Sequence, residues 1–258
     1  MLFINTRPLE RAKPLTQALR EQGQKVVDLP LLELIPKPYS TEIKNLYSEL
    51  STTQIIVVVS PTAVEIGMKY LQKYSSLSNL AHISWIAVGE KTAQVLAEYG
   101  FDSETPAIET SEGMLNLPIF SSLEPQSKVA FWRGEGGRQF MMDTLISKGI
   151  QVLNFILYRR QCPQQAINNI ENVKVDILAT AFYTMIISSE ASWLNWLELI
   201  QHNSNFLDKA DFWVLGERLY QILLEYKNQH NLKFKITKLT NLKTETILKQ
   251  VVALQGNT

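Results

Sequence analysis

The sequence predicts an α/β protein of two similar domains, each a parallel sheet flanked by helices, with a pair of linker strands between them. Three observations carry this. Short β-branched or aromatic runs alternate with longer amphipathic stretches along almost the whole chain, the pattern of parallel sheets with crossover helices. The chain repeats itself loosely. Two extended, Pro-bounded segments, 30–38 and 151–163, are poor in turn residues and read as crossings between domains.

Strands are expected at 2–5, 25–29, 55–59, 84–88, 129–132, 183–187, 212–215 and 233–237. Between them apolar residues recur at three- and four-residue spacing, as in Ala93, Leu96 and Ala97 or Trp193, Leu194 and Leu197. That spacing places them on one face of a helix. Gly23, Gly100 and Gly149 stand where those helices should stop and turn back toward a strand. The stretch 173–182 reads equally as a short strand or as the end of a helix.

One repeat, A, is a strand, an Arg-bearing turn, a helix and a glycine: Arg7 to Gly23 and Arg133 to Gly149, both sixteen residues apart. The other, B, is a strand ending in Ser, a helix, a strand ending in Gly and another helix. It runs from Ser60 to Gly89 and from Ser188 to Gly216, separations of 29 and 28. The order A, B, A′, B′ decides how the domains are cut. Residues 1–30 offer two strands and a helix, too little to fold alone. Domain one is therefore expected to comprise 1–34 plus 160–258 and domain two 39–152, with 30–38 and 151–163 as linker strands. Each domain then holds one A and one B repeat.

Composition excludes several function classes. Of 258 residues, 45% are apolar and 19% charged, a globular balance. Lys plus Arg and Asp plus Glu each number 25, so no global field attracts nucleic acid or an anionic membrane. Any anion must be met by a local cation or by backbone N–H groups. Cys162 is the only cysteine, which rules out an internal disulfide and points to a reducing compartment. The opening MLFINTRPLE has no basic-then-apolar leader, and apolar runs such as 55–59 are far too short to span a bilayer. A soluble cytoplasmic protein is expected. His82, His202 and His230 are scattered, no Cys/His spacing suits zinc, and no GxGxxG, Walker loop or GxSxG elbow is present. Metal, nicotinamide and flavin chemistry are not expected.

In parallel α/β sheets ligands gather at the carboxyl ends of strands, where helix starts offer free N–H groups. Here those ends read Asn-Thr-Arg-Pro with Thr6 and Arg7, Ser-Pro-Thr-Ala with Ser60, Pro61 and Thr62, and Gly-Glu-Lys-Thr with Gly89 and Thr92. They continue with Arg-Gly-Glu-Gly-Gly-Arg, holding Arg133, Gly134 and Arg138, then Ser-Ser-Glu-Ala with Ser188 and Ser189, and Gly-Glu-Arg with Gly216 and Arg218. For any one turn, ordinary helix capping is the simpler reading. Six together, four bearing a cation, favour a ligand with several carboxylates. The turn at 133–138 is the sharpest, because its three glycines allow backbone to approach an anion closely.

At these turns the chain resembles the uroporphyrinogen-III synthase family. The resemblance rests on Thr-Arg-Pro at 6–8, Ser-Pro-x-Ala-Val at 60–64, Val-Gly-x-x-Thr-Ala at 88–93 and Ser-Glu-Gly at 111–113. The Arg-Gly-x-Gly-Gly-Arg turn and the apolar-Tyr-Arg of 157–159 complete it, in order along nearly the whole chain. It departs where family members often carry Gly-Pro-Thr-Thr, since Gly216, Glu217, Arg218 and Leu219 offer no hydroxyl there.

The resemblance implies two α/β domains joined by a two-stranded ladder, with the active site in the cleft between them. It implies hydroxymethylbilane as substrate, cyclised to uroporphyrinogen III with loss of water and inversion of ring D through a spiro intermediate. It implies no cofactor or metal, a monomer, and a transient contact with the preceding deaminase. It also implies Tyr158 as the residue that assists water loss; a phenol, with an ordinary pKa of about 10, is a donor that stays neutral near pH 7. Simple packing of that ring is the competing reading. Two other classes stay open: a non-catalytic two-domain module that binds a polycarboxylate or other small anion, and an α/β transferase with a nucleotide donor. The second should carry an acidic metal motif or a phosphate loop, and neither is present.

Overall fold

The structure, a computed structural model, describes residues 1–74 and 80–255. Its strands are β1 Leu2–Asn5, β2 Lys25–Asp28, β3 Glu33–Pro36, β4 Ile55–Val58, β5 Ser84–Ala87, β6 Lys128–Gly134, β7 Gln151–Gln161, β8 Tyr183–Ile187, β9 Ala210–Leu215 and β10 Lys235–Leu239. They form two five-stranded sheets, in the orders β10-β9-β8-β1-β2 and β3-β7-β6-β4-β5. Every pairing in the first sheet is parallel, as are those joining β7, β6, β4 and β5 in the second. The chain divides into two compact units, Met1–Glu33 with Arg160–Thr258, and Leu34–Arg159.

Both sheets are covered on both faces, which is why their central strands read as unbroken apolar runs. β4 (IIVV) and β8 (YTMII) are buried at every position. Alternation then sorts side chains between faces. In the first sheet Phe3, Ile186 and Trp213 meet Leu15 and Leu19 of the helix Leu9–Glu21 on one side. Ile4, Met185 and Phe212 meet Trp193, Trp196 and Leu223 on the other. In the second sheet Val57 and Phe131 pack on Met141 and Leu145, and Val58 and Trp132 on Val64 and Met68. Each such side chain contributes about 1.5–3 kcal/mol by leaving water.

Two local outcomes refine the sequence reading. The ambiguous 173–182 is the end of the helix Gln164–Leu178, with Val173 and Ile177 buried, followed by a turn into β8. The last strand begins at Lys235, not 233, because the Lys233 N–H is taken by the Asp208 carboxylate at 2.6 Å before pairing with β9 starts.

The Pro-bounded segments supply β3 and β7. The Lys37 N–H donates to Leu157 O at 2.8 Å and Gln161 Nε2 to Glu33 Oε1 at 2.7 Å, so these strands run in opposite directions. β7 also pairs with β6 along most of its eleven residues, which makes it a core strand as well as a crossing.

Strand pairing aligns the repeats. Each sheet has the order second A strand, first A strand, first B strand, second B strand. Ile4 lies beside Met185 in one sheet as Ala130 lies beside Ile56 in the other. Carried along the chains, Arg7 matches Arg133 and Gly23 matches Gly149. Gly216 matches Gly89, but it is Ser189, one residue later than the sequence spacing suggested, that matches Ser60. The place of β10 is taken in the second sheet by a single bridge, Ile86 to Glu104.

Candidate functional site

In the unit Leu34–Arg159, three strand ends converge on Tyr158. β6 and β7 pair regularly from Lys128 with Gln151 to Arg133 with Ile156, then slip, so that Gly134 lies opposite Tyr158 and Leu157 is left over. Neighbours in a regular strand point to opposite faces. The slip re-aims the chain, and Leu157 and Tyr158 both enter the core that holds Trp132 and Phe155. Tyr158 is 1% exposed. Its ring presses on Gly134, where an added Cβ would stand 2.4 Å from Cε2. Its Oη is 3.0 Å from Ser60 Oγ just past β4. Ser60 Oγ also accepts the Ala63 N–H at 3.1 Å and so caps the helix Pro61–Tyr74, in whose first turn Pro61 and Thr62 are half-buried.

The other residues of the 133–138 turn are engaged within it. Arg133 is 6% exposed and points back on its own loop, donating through Nη2 to the carbonyls of Gly136 and Gly137 and through Nη1 to Met142 Sδ. Gly136 and Gly137 have φ of 70° and 81°, the left-handed region that favours glycine. Two glycines thus serve the turn and the third makes room for the Tyr158 ring. Arg138 stays at the surface, stacked over Phe140 and paired with Glu112 at 2.5 Å. The Glu112 carboxyl lies below the usual carboxylate range, held there first by its own backbone N–H and then by Arg138.

Gly89 precedes the helix Glu90–Glu98, and the Glu109 carboxylate sits against that helix start. Its Oε1 accepts the Glu90 N–H at 3.1 Å, and a Cβ on Gly89 would overlap the carboxylate at 2.1 Å. Thr92 is buried on the inner face of the same helix.

In the other unit, Thr6 is 2% exposed and donates to Ile186 O at 2.5 Å, joining β1 to β8. Arg7 reaches Leu242 O at 3.4 Å, and burial, then the charge of Arg11, lower its pKa. Ser188, Ser189, Glu190 and Arg218 line a cavity of about 260 Å³ at the ends of β8 and β9, with Arg218 paired to Glu190 at 2.7 Å. Ser189 caps the helix Glu190–Leu199 by accepting the Ser192 N–H at 3.2 Å. Gly216, at φ 78°, opens the helix Gly216–Gln229 just outside the residues lining that cavity.

The structure therefore brings Ser60, Gly134 and Tyr158 into contact, and Ser188, Ser189 and Arg218 around one cavity. Thr6, Thr92 and Arg133 are turned inward. Sequence reasoning missed the carboxylates at these turns, Glu109, Glu112 and Glu190. Glu190 directly follows its capping residue Ser189, and Glu112 stands in the first turn of its helix, so both were open to view; Glu109 has no local signal. Among the described residues no group of three or more His, Cys, Asp or Glu could hold a metal ion, and no helix is long and apolar enough to cross a membrane.

Residues 13–232 match the family model described as uroporphyrinogen-III synthase HemD. The chain is similar to the uroporphyrinogen-III synthase of Salmonella typhimurium, 28% identical over 162 residues that cover 62% of this chain and 65% of that one. It is also similar to the Escherichia coli protein of that name, 26% identical over 166 residues, with coverage of 62% and 65%. The matched region spans just under two thirds of either relative. Among solved structures the fold is similar to a mutant uroporphyrinogen III synthase from Thermus thermophilus, with a TM-score of 0.68 and 15% identity over 99% of both chains. The corresponding Helicobacter pylori structure gives a TM-score of 0.61 and 15% identity over 98% of both.

Proposed function

Because the chain belongs to the uroporphyrinogen-III synthase family, we propose that it closes hydroxymethylbilane, a linear tetrapyrrole with eight carboxylates, into uroporphyrinogen III. The observation that carries this reading is the Tyr158 phenol, fixed at a strand end by Gly134 and Ser60.

Hydroxymethylbilane cyclises unaided to the symmetrical isomer, so the protein must chiefly hold the reacting ends and help one hydroxyl leave. Holding them in near-attack geometry supplies on the order of 7–11 kcal/mol in good cases. In the proposed first step the C–O bond of the ring A hydroxymethyl breaks as the pyrrole nitrogen pushes electrons in behind it. Tyr158 Oη gives its proton to the departing oxygen, which leaves as water. Ring D attacks the exposed methylene carbon through its substituted position, and the resulting spiro intermediate opens and recloses with ring D inverted. The proton lost at the final aromatisation restores the phenol.

Carboxylate arms of the substrate are the ligands proposed for the strand-end turns that hold Gly89, Arg138, Ser188, Ser189, Gly216 and Arg218. Glutamates of the chain itself already stand at three of these turns, which supports carboxylates as their ligands. The protein acts as a cytoplasmic monomer, and the instability of its substrate favours transient contact with the preceding deaminase.

The test is incubation with freshly generated hydroxymethylbilane, without metal or nucleotide, followed by oxidation and chromatography. The type III isomer is expected; type I alone overturns the reading. Tyr158→Phe keeps the ring and should lower turnover roughly ten- to a thousand-fold with little change in melting. A folded Phe variant with full turnover removes Tyr158 from the mechanism.

A further inference from the structure

We infer that Ser60 is a positioning residue for Tyr158, pairing with the phenol before proton transfer and with the phenolate after it. This rests on Tyr158 as the acid that assists water loss. A serine hydroxyl has one hydrogen and two acceptor sites. One acceptor site of Ser60 is committed to the Ala63 N–H at 3.1 Å. The Ser60 hydrogen can be donated to the phenol oxygen across the 3.0 Å separation, which leaves the phenol's own proton for the departing hydroxyl. When the phenol has given its proton away, the same Ser60 O–H stays on the phenolate oxygen, and no heavy atom needs to move.

Two features favour the second state as the charge develops. A hydrogen bond to an ionised oxygen is about twice as strong as a neutral one. The Ala63 N–H polarises Ser60 Oγ in the sense that makes its own O–H a better donor. The ring has no room to leave this partner, being 1% exposed and backed by Gly134.

The matching residue of the other unit separates this role from capping. Ser189 accepts the Ser192 N–H at 3.2 Å just as Ser60 accepts that of Ala63, yet its Oγ meets the Ser192 hydroxyl at 2.8 Å. Capping a helix at this point of the repeat does not call for a phenol. The Ser60–Tyr158 pair is an addition confined to one unit.

The experiment uses the full chain and three variants: Ser60→Gly, Ser60→Thr and Tyr158→Phe, with the Ser60→Gly/Tyr158→Phe double. Glycine caps a helix nearly as well as serine, so Ser60→Gly removes the hydroxyl with little effect on melting. It should lower kcat about 10- to 100-fold, the worth of one hydrogen bond to a charged group, and leave KM in place. Ser60→Thr, which keeps a hydroxyl, should retain most of the turnover. Added to Tyr158→Phe, Ser60→Gly should cost nothing further in kcat. The proposal is overturned if Ser60→Gly turns over normally, if it raises KM alone, if threonine is as slow as glycine, or if the two losses multiply. Full turnover in Tyr158→Phe alone is a separate result and sinks the acid role beneath it.

Discussion

Replacing Gly134 by alanine tests whether the Tyr158 phenol is held where it is by contact. The new Cβ would lie 2.4 Å from Cε2, 2.5 Å from Cζ and 2.9 Å from Oη. Carbon atoms in contact rest at about 3.5–4.0 Å, so the ring or the β6 backbone must give by about 1 Å. The ring is fully buried among Trp132, Phe155 and Leu157 and has nowhere soft to go. A shift of that size takes the 3.0 Å bond to Ser60 beyond hydrogen-bonding range. Overpacking of this kind costs about 1–3 kcal/mol. For a chain of this length that corresponds to a fall in melting temperature of roughly 2–10 °C. Calorimetry should show the fall, and the isomer assay should show turnover reduced at least about ten-fold, toward the level of Tyr158→Phe. Gly100→Ala is the control: its φ of 84° also opposes a side chain, but no atom lies within 4 Å. It should lose stability and keep turnover. Gly134→Ala with normal melting and normal turnover would refute the reasoning.

Two further outcomes are expected. Arg138→Ala should leave melting nearly unchanged, because exposed ion pairs contribute little, while raising KM severalfold; an unchanged KM removes Arg138 from carboxylate recognition. An excised fragment 34–161 should unfold cooperatively, whereas 39–152 lacks β3 and most of β7, with Phe155, Leu157 and Tyr158, and should not; a cooperative transition in 39–152 would show β7 to be dispensable.

Much of the fold was legible because parallel strands buried on both faces advertise themselves as apolar runs, as β4 and β8 do. The equivalence of Arg7 with Arg133 was legible because both follow the same strand–turn–helix pattern. Pairing a second repeat from spacing alone put Ser188 opposite Ser60, since a slip of one residue is invisible until backbone hydrogen bonds set the register. The slip between β6 and β7 that turns Tyr158 inward was hidden for the same reason. The role of Arg133 was hidden too: a cation in a glycine-rich turn looks the same in sequence whether it faces a ligand or its own carbonyls. The carboxylate of Glu109 at Gly89 is a tertiary contact across a loop, and nothing in either local pattern announces it.

The edge pairing of β3 with β7 also bears on the order in which the molecule forms. Thr6 and Ile186, joined in the finished first sheet, are 180 residues apart along the chain. All of the inserted unit leaves the ribosome before β8 does, and domains generally fold as units during synthesis. Once β3 lies along β7, Glu33 is held 2.7 Å from Gln161. The inserted unit then acts as a staple, and the free path from Thr6 to Ile186 shrinks to roughly 50 residues, which lowers the entropy cost of closing that loop by about 1 kcal/mol. A lesion that delays the inner sheet, such as a break in β7, should therefore slow closure of the outer one as well, although none of the outer sheet's own contacts has changed.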